Sequence, residues 1–373
     1  MKADIFKVEE WMNEYEKYCK YDLGNTTVQT LSLDGLFALS GENREHFFNE
    51  LCSKTLGYGW IKGNPDLKKG ISSLYKGITE SNIIPTIGAA GANHLVFYSL
   101  VEPSDTVVSV IPVYQQLYSI PRSFNADVRL LHLKKENDFL PDLDELKKIV
   151  TPNTKLICIN NPNNPTGKII PEDVLYKITE IADTYGAYVL CDEVYRGLVR
   201  SDEEIPSIVD IYDKGISVCS MSKIFSLAGL RLGWVASGND DVIDSCFHHR
   251  EYNMISCSVV DEMLAALALK NANLIVERNR KVIKESFEVV NDWIKKQAHF
   301  TWIPPDGGTT ALIYYDFDIN SFDFCHKLAV EYGVFVTPGD CFEEEKCFRI
   351  GYCTGVEGLR FGLEEIERFS KTL

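Results

Sequence analysis

The middle of the chain alternates short apolar runs with longer stretches whose apolar residues recur at helical spacing. "TVVSVI" (106–111), "VRLLHL" (128–133), "KLICIN" (155–160), "AYVLCD" (187–192) and "ISVCSM" (216–221) are almost continuously apolar. That is the pattern of parallel strands covered on both faces. Between two of them, "PEDVLYKITEIADTYG" (171–186) predicts a helix. Pro171 suits its first turn, acidic residues follow, and Gly186 falls where a C-terminal cap belongs. Strand, helix, strand in this rhythm predicts βαβ units and an α/β fold with a doubly wound sheet. Ligands of such sheets bind beyond the carboxyl ends of the strands.

After about residue 270 the pattern changes. A long charged helical stretch, "NLIVERNRKVIKESFEVVNDWIKKQ", leads into "ALIYYDF" and "GVFVTPG", which read as strands flanking a helix at 321–332. The division expected is a large domain over 45–270 and a smaller α+β domain made of 1–44 plus 271–373, with the N-terminal arm folded back onto it. No repeat or low-complexity linker interrupts the 373 residues.

Composition narrows the function. A net charge of −16 argues against a nucleic-acid partner, because phosphate backbones select basic surfaces. The N-terminus is charged and amphipathic, and no run approaches the ~18 apolar residues of a membrane span. A cytoplasmic protein with no membrane partner is expected. The eleven cysteines are odd in number, form no CxxC pair and often sit inside apolar runs, so reduced buried thiols are expected.

Polar clusters follow the apolar runs. "GAAGANHLVFYSLV" (88–101) starts with small residues and continues as an apolar helix, so it is either a tight turn or a place where backbone amides meet an anion. "NNPNNPTG" (160–167) fixes an irregular loop whose asparagine amides need partners. In "CDEVY" (191–195), Asp192 ends a buried run; it is a helix cap, half of a salt bridge, or the partner of a ligand cation. In "SMSKIFSLAGLRLGW" (220–234), Lys223 is a surface charge unless its neighbours matter, and Ser220, Ser222 and Arg231 are groups suited to phosphate oxygens. A lysine held in such a cationic, partly buried site loses proton affinity and becomes nucleophilic. "CFRIGY" (347–352) sets Arg349 among apolar residues, where it serves a core ion pair or grips a carboxylate. His94 and the pair His248–His249 read as core or exposed-helix histidines.

In order and spacing, "NPNNPTG", "DEVY", "SMSKIFSLAGLRLG" and "FRIG" resemble the class I/II aminotransferase family of fold-type I pyridoxal-phosphate-dependent enzymes, from about residue 55 to 355. The resemblance implies a large domain with a mostly parallel sheet of the seven-stranded type, and pyridoxal 5′-phosphate as cofactor. It implies that Lys223 forms the Schiff base with the cofactor, that Asp192 pairs with its ring nitrogen, and that Asn164 and Tyr195 hydrogen-bond its phenolic oxygen. Tyr114 would stack on the ring. Ala90, Gly91, Ser220, Ser222 and Arg231 would hold the phosphate, joined by Tyr58 from a neighbouring subunit of a homodimer with shared active sites. Arg349, with Asn164 beside it, would take the substrate α-carboxylate. The implied activity is amino transfer between an amino acid and a 2-oxo acid. The same motifs serve a C–S lyase or a cyclase, including one acting on arginine-derived amino acids. Two departures stand out: Gly24 in "YDLGNTTVQTLSLDGLF" lacks the proline that commonly follows it in the family, and "AAGAN" after Gly88 lacks a hydroxyl.

Overall fold

The computed structural model describes residues 3–201 and 204–373; residues 1–2 and 202–203, which fall within the expected small and large domains, lie outside the described residues. Seven strands form the main sheet, in the order Ile83–Ile87, Leu232–Ala236, Gly215–Ser220, Tyr188–Asp192, Thr154–Asn160, Thr106–Ile111, Asp127–His132. Leu232–Ala236 runs antiparallel to both neighbours, and the other six strands share one direction. The five strands expected from apolar runs are all present, each within one residue of its expected ends. Two others escaped the apolar pattern. Ile83–Ile87 contains Pro85, which removes a ladder donor, and accordingly lies at the edge of the sheet. Leu232–Ala236 contains Gly233 and begins inside the polar motif around Lys223.

The helix expected over 171–186 spans Glu172–Thr184, with Pro171 at its N-cap and Gly186 left-handed just beyond its end. Its buried residues, Leu175, Ile178, Ile181 and Ala182, recur at helical spacing and face the sheet. The 23-residue helix Ala272–Ile294 buries Ile275, Asn279, Ile283, Phe287 and Val290 along one stripe in the same way.

A four-stranded antiparallel sheet follows, ordered Thr337–Pro338, Cys347–Gly351, Thr310–Tyr315, Phe300–Trp302, and Ser321–Tyr332 is the expected helix. "GVFVTPG" is not one strand but two. Val334–Phe335 pairs in parallel with Tyr21–Asp22, whereas Thr337–Pro338 joins the four-stranded sheet. The chain switches partners at Val336, and Pro338 fits because its strand is at an edge. The N-terminal arm therefore does fold onto the C-terminal segment. Its helix Lys7–Tyr15 is tied on both sides: the Lys7 amide donates to Gln115 Oε1 at 2.9 Å, and Trp11 Nε1 donates to the Val336 carbonyl at 2.9 Å. All eleven cysteines are free thiols, and only Cys52 is exposed.

One close approach fixes the site's floor. A Cβ on Gly233 would lie 2.4 Å from the Gly88 carbonyl carbon and 2.7 Å from the Ala89 nitrogen, so only glycine lets the helix Gly88–Leu100 start against this strand. Replacing Gly233 by alanine should cost about 1–3 kcal/mol, as overpacking does, read as a lower urea midpoint with an unchanged slope.

Candidate active site

Asn160, Asp192 and Ser220 end three adjacent parallel strands, and the register sets Asn160 beside Asp192. The helix Gly88–Leu100 begins over the same edge, with Ala89 and Ala90 facing inward and no side chain capping its first amides. Those unmet N–H groups and the helix dipole favour an anion. All of these residues line one cavity, together with Asn164, Tyr195, Ser222, Lys223, Arg231, Tyr114 and Arg349.

The asparagine loop divides its work. Asn160 donates to the Asp192 carbonyl at 2.8 Å and accepts from the Asn164 amide at 2.6 Å. Asn161 exchanges hydrogen bonds with Ile170, and Asn163 donates to the Pro112 carbonyl and to Thr166. Three asparagines thus shape the loop, and the fourth, Asn164, turns its side chain to Arg349, whose Nη1 donates to Oδ1 at 3.2 Å.

Asp192 is 4% exposed and accepts from Asn93 Nδ2 at 3.0 Å and from the Val194 amide at 3.2 Å. Burial pushes its carboxyl up to about 6, and those two hydrogen bonds oppose the rise. Among the described residues it makes no salt bridge and caps no helix. Lys223 Nζ donates to Thr26 Oγ1 at 2.5 Å. Burial lowers its ammonium to about 8; the charges of Arg349 and Arg231 add to this, while Glu9 and Asp192 oppose it. The lysine is therefore no solvated surface charge. Arg349 is 1% exposed, and its Nη2 donates to the Gly24 carbonyl and to Thr337 Oγ1, both at 3.0 Å. Its hydrogen-bond partners are neutral and its Nε has none among the described residues, so it belongs to no core ion pair.

Arg231 takes a left-handed backbone (φ +48°), and a Cβ on Gly88 would come within 2.9 Å of its Nη2. The glycine keeps space open in front of the guanidinium, between it and the helix start. Ser220 and Ser222 are buried at the same end, the Ser222 amide donating to Ser220 Oγ at 3.3 Å. Tyr195 is buried in the wall, with its phenol's pKa raised by burial. Tyr114 donates to Glu9 Oε1 at 3.1 Å. Gly91 lies one residue past the inward-facing alanines and does not line the cavity, and Tyr58 is 70% exposed and outside it.

Sequence reasoning missed Thr26, Asn93, Glu9 and Ala89, all of which line the cavity. Asn93 had a signal: the lone amide in a largely apolar helix, one turn beyond Ala89 and Ala90. Glu9 and Thr26 had none, since they arrive through the folding of the N-terminal arm.

The family model for aminotransferase class I and II matches residues 38–361. The chain belongs to this family. A solved pyridoxal-phosphate-dependent aminotransferase from Streptococcus suis 89-1591 superposes with a TM-score of 0.97 at 44% identity, covering 100% of this chain and 99% of that one. Capreomycidine synthase of Streptomyces vinaceus is 26% identical over 360 residues, 96% of this chain and 92% of its own. The aspartate aminotransferase of Pyrococcus horikoshii is 29% identical over 339 residues, 86% and 85% of the two chains. As a class I/II aminotransferase-family enzyme, the protein uses pyridoxal 5′-phosphate. The cavity's donor set fits that molecule. Uncapped helix amides, two buried hydroxyls and a guanidinium suit its phosphate, an under-compensated buried carboxylate suits its ring nitrogen, and a depressed amine suits its aldehyde.

Only the neutral amine attacks a carbonyl, and for Lys223 that form prevails above about pH 8 rather than above the ordinary 10.5. Covalent capture of cofactor, trapped by borohydride and counted by mass spectrometry, should accelerate with pH around a midpoint near 8. A midpoint near the ordinary lysine value would contradict the assignment.

Proposed function

We propose that the protein is an aminotransferase moving an amino group between an amino acid and a 2-oxo acid by a ping-pong cycle, and that it works as a homodimer. The observation that carries the reading is Arg349. It is a buried guanidinium held by neutral groups, in the same cavity as a lysine of lowered proton affinity, and so is left for a ligand's carboxylate.

When bound, pyridoxal 5′-phosphate supplies an electron-withdrawing ring that makes the substrate's Cα–H bond acidic. Ser220, Ser222, Arg231 and the amide of Ala90 would hold its phosphate, and Tyr58 of each subunit would reach the phosphate bound by its neighbour. Asp192 would keep a proton on the cofactor's ring nitrogen, Asn164 and Tyr195 would hydrogen-bond its phenolic oxygen, and Tyr114 would pack against its ring. Arg349, whose Nε has no partner among the described residues, takes the α-carboxylate by charge and hydrogen bond, and this orients the Cα–H bond toward Lys223. Lys223 Nζ, neutral for an appreciable fraction of the time at its lowered pKa, accepts the Cα proton and later returns one. Thr26 Oγ1 keeps that nitrogen from swinging away.

A ring-forming or C–S-cleaving reaction that begins with the same proton removal is the second reading. The likeness to capreomycidine synthase favours it, since that match extends over more of the chain than the aspartate aminotransferase match does. Half-reactions with a panel of amino acids, followed by absorbance, separate the two. Accumulation of aminated cofactor marks transfer, whereas product release with the cofactor returned unaminated marks a lyase or cyclase.

Arg349→Ala should weaken amino-acid binding about 100-fold or more, the usual loss when one partner of a buried charge pair is removed. Cofactor absorbance should be retained. A variant that sheds its cofactor would mean that Arg349 serves the cofactor rather than the substrate.

A further inference from the structure

In the reading above, on which this inference rests, every cation lining the cavity is committed. Lys223 moves the proton, Arg231 holds phosphate and Arg349 takes the α-carboxylate. Among the described residues of the protomer, no lining cation remains for a second carboxylate on the substrate. One anion does remain, because Asp192 serves the ring nitrogen and Glu9 has no comparable duty. Glu9 reaches the cavity because the helix Lys7–Tyr15 turns Val8, Glu9 and Met12 toward it. Val8 and Met12 are four residues apart and so share a face. The helix is anchored to Gln115 on one side and Val336 on the other. The carboxylate is itself located, with Oε1 accepting from Tyr114. Its charge acts on both substrate-facing cations, favouring the protonated forms of Lys223 and Arg349.

We propose that Glu9 selects amino acids whose side chain ends in a cation, a guanidinium or an ammonium, by pairing with it at the N-terminal-helix side of the cavity. Val8 and Met12 offer apolar surface to the methylene stem of such a side chain, while its charged head meets Glu9. An aspartate or glutamate side chain would instead set a second carboxylate against Glu9, and that repulsion is the discriminating element.

The test measures equilibrium binding to cofactor-loaded protein by calorimetry, using α-methyl amino acids, which lack the Cα proton and bind without turnover. α-Methylarginine should bind about tenfold or more tighter than α-methylaspartate, a difference of about 1.4 kcal/mol or more. Glu9→Gln should remove most of that preference while leaving 2-aminoisobutyrate, which carries no charged side chain, within about twofold. Glu9→Lys should shift the preference toward α-methylaspartate. Glu9 is exposed, and thermal melting checks that both variants are folded. A wild-type preference for α-methylaspartate, or a Glu9→Gln effect equal on all three ligands, overturns the assignment of Glu9 and leaves the amino-acid site standing. Failure of all three ligands to bind the wild-type protein overturns the amino-acid site as well.

Discussion

Arg349 is sealed from water by three stretches of chain that are far apart in sequence, and most of the site's geometry is a consequence of satisfying it. A guanidinium in such a place is costly unless hydrogen-bonded. Gly24 supplies a carbonyl, Thr337 a hydroxyl and Asn164 an amide oxygen, and the Phe342 ring lies 5.2 Å from the charge. Thr337 is directly opposite Arg349 in the small sheet, Gly24 belongs to the N-terminal arm, and Asn164 belongs to the loop at the end of a large-sheet strand. One side chain thus requires both sheets and the arm to meet at a single point. Because none of these partners carries a negative charge, the cation is hydrogen-bonded without being neutralised, and its field reaches Lys223.

The large sheet contributes the opposite wall by a similar economy of parts. The reversed strand Leu232–Ala236 begins immediately after Arg231, which delivers that guanidinium to the edge where three parallel strands end. The same strand carries Gly233, against which the helix Gly88–Leu100 starts. Anion-seeking amides and guanidinium are thereby brought face to face by one short strand. Asp192 lies farther in, restrained by Asn93 from that same helix.

Much of this was legible in the sequence, for a physical reason. Parallel strands covered on both faces need long apolar runs, so a polar residue that ends such a run, such as Asn160 or Asp192, is conspicuous. Lys223 and Arg231 gained meaning from their neighbours in the chain. The strand Ile83–Ile87 was masked by Pro85, and Leu232–Ala236 by its glycine and by the polar motif it grows out of. Val334–Phe335 and Thr337–Pro338 read as one strand because their apolar pattern is continuous; only the pairing partners change at Val336. Thr26 and Glu9 were invisible because they come from stretches of unremarkable polarity, and nothing local records that the arm folds over the cavity.

The arm is also threaded more tightly than its position in sequence implies. The Gly351 amide donates to the Leu23 carbonyl at 2.7 Å, and a Cβ at Gly351 would sit 1.8 Å from the Asn25 oxygen. Thr309 Oγ1 donates to the Thr26 carbonyl at 2.7 Å. The residue that holds Lys223 is therefore tied down at the ends of the two central strands of the small sheet, itself by Thr309 and its neighbours Leu23 and Asn25 by Gly351, although it lies within the first tenth of the chain. The large sheet alone does not make the active site, because the threonine that steadies the lysine is seated by Thr309, at the start of a small-sheet strand. Catalytic competence therefore depends on both ends of the chain being in place together.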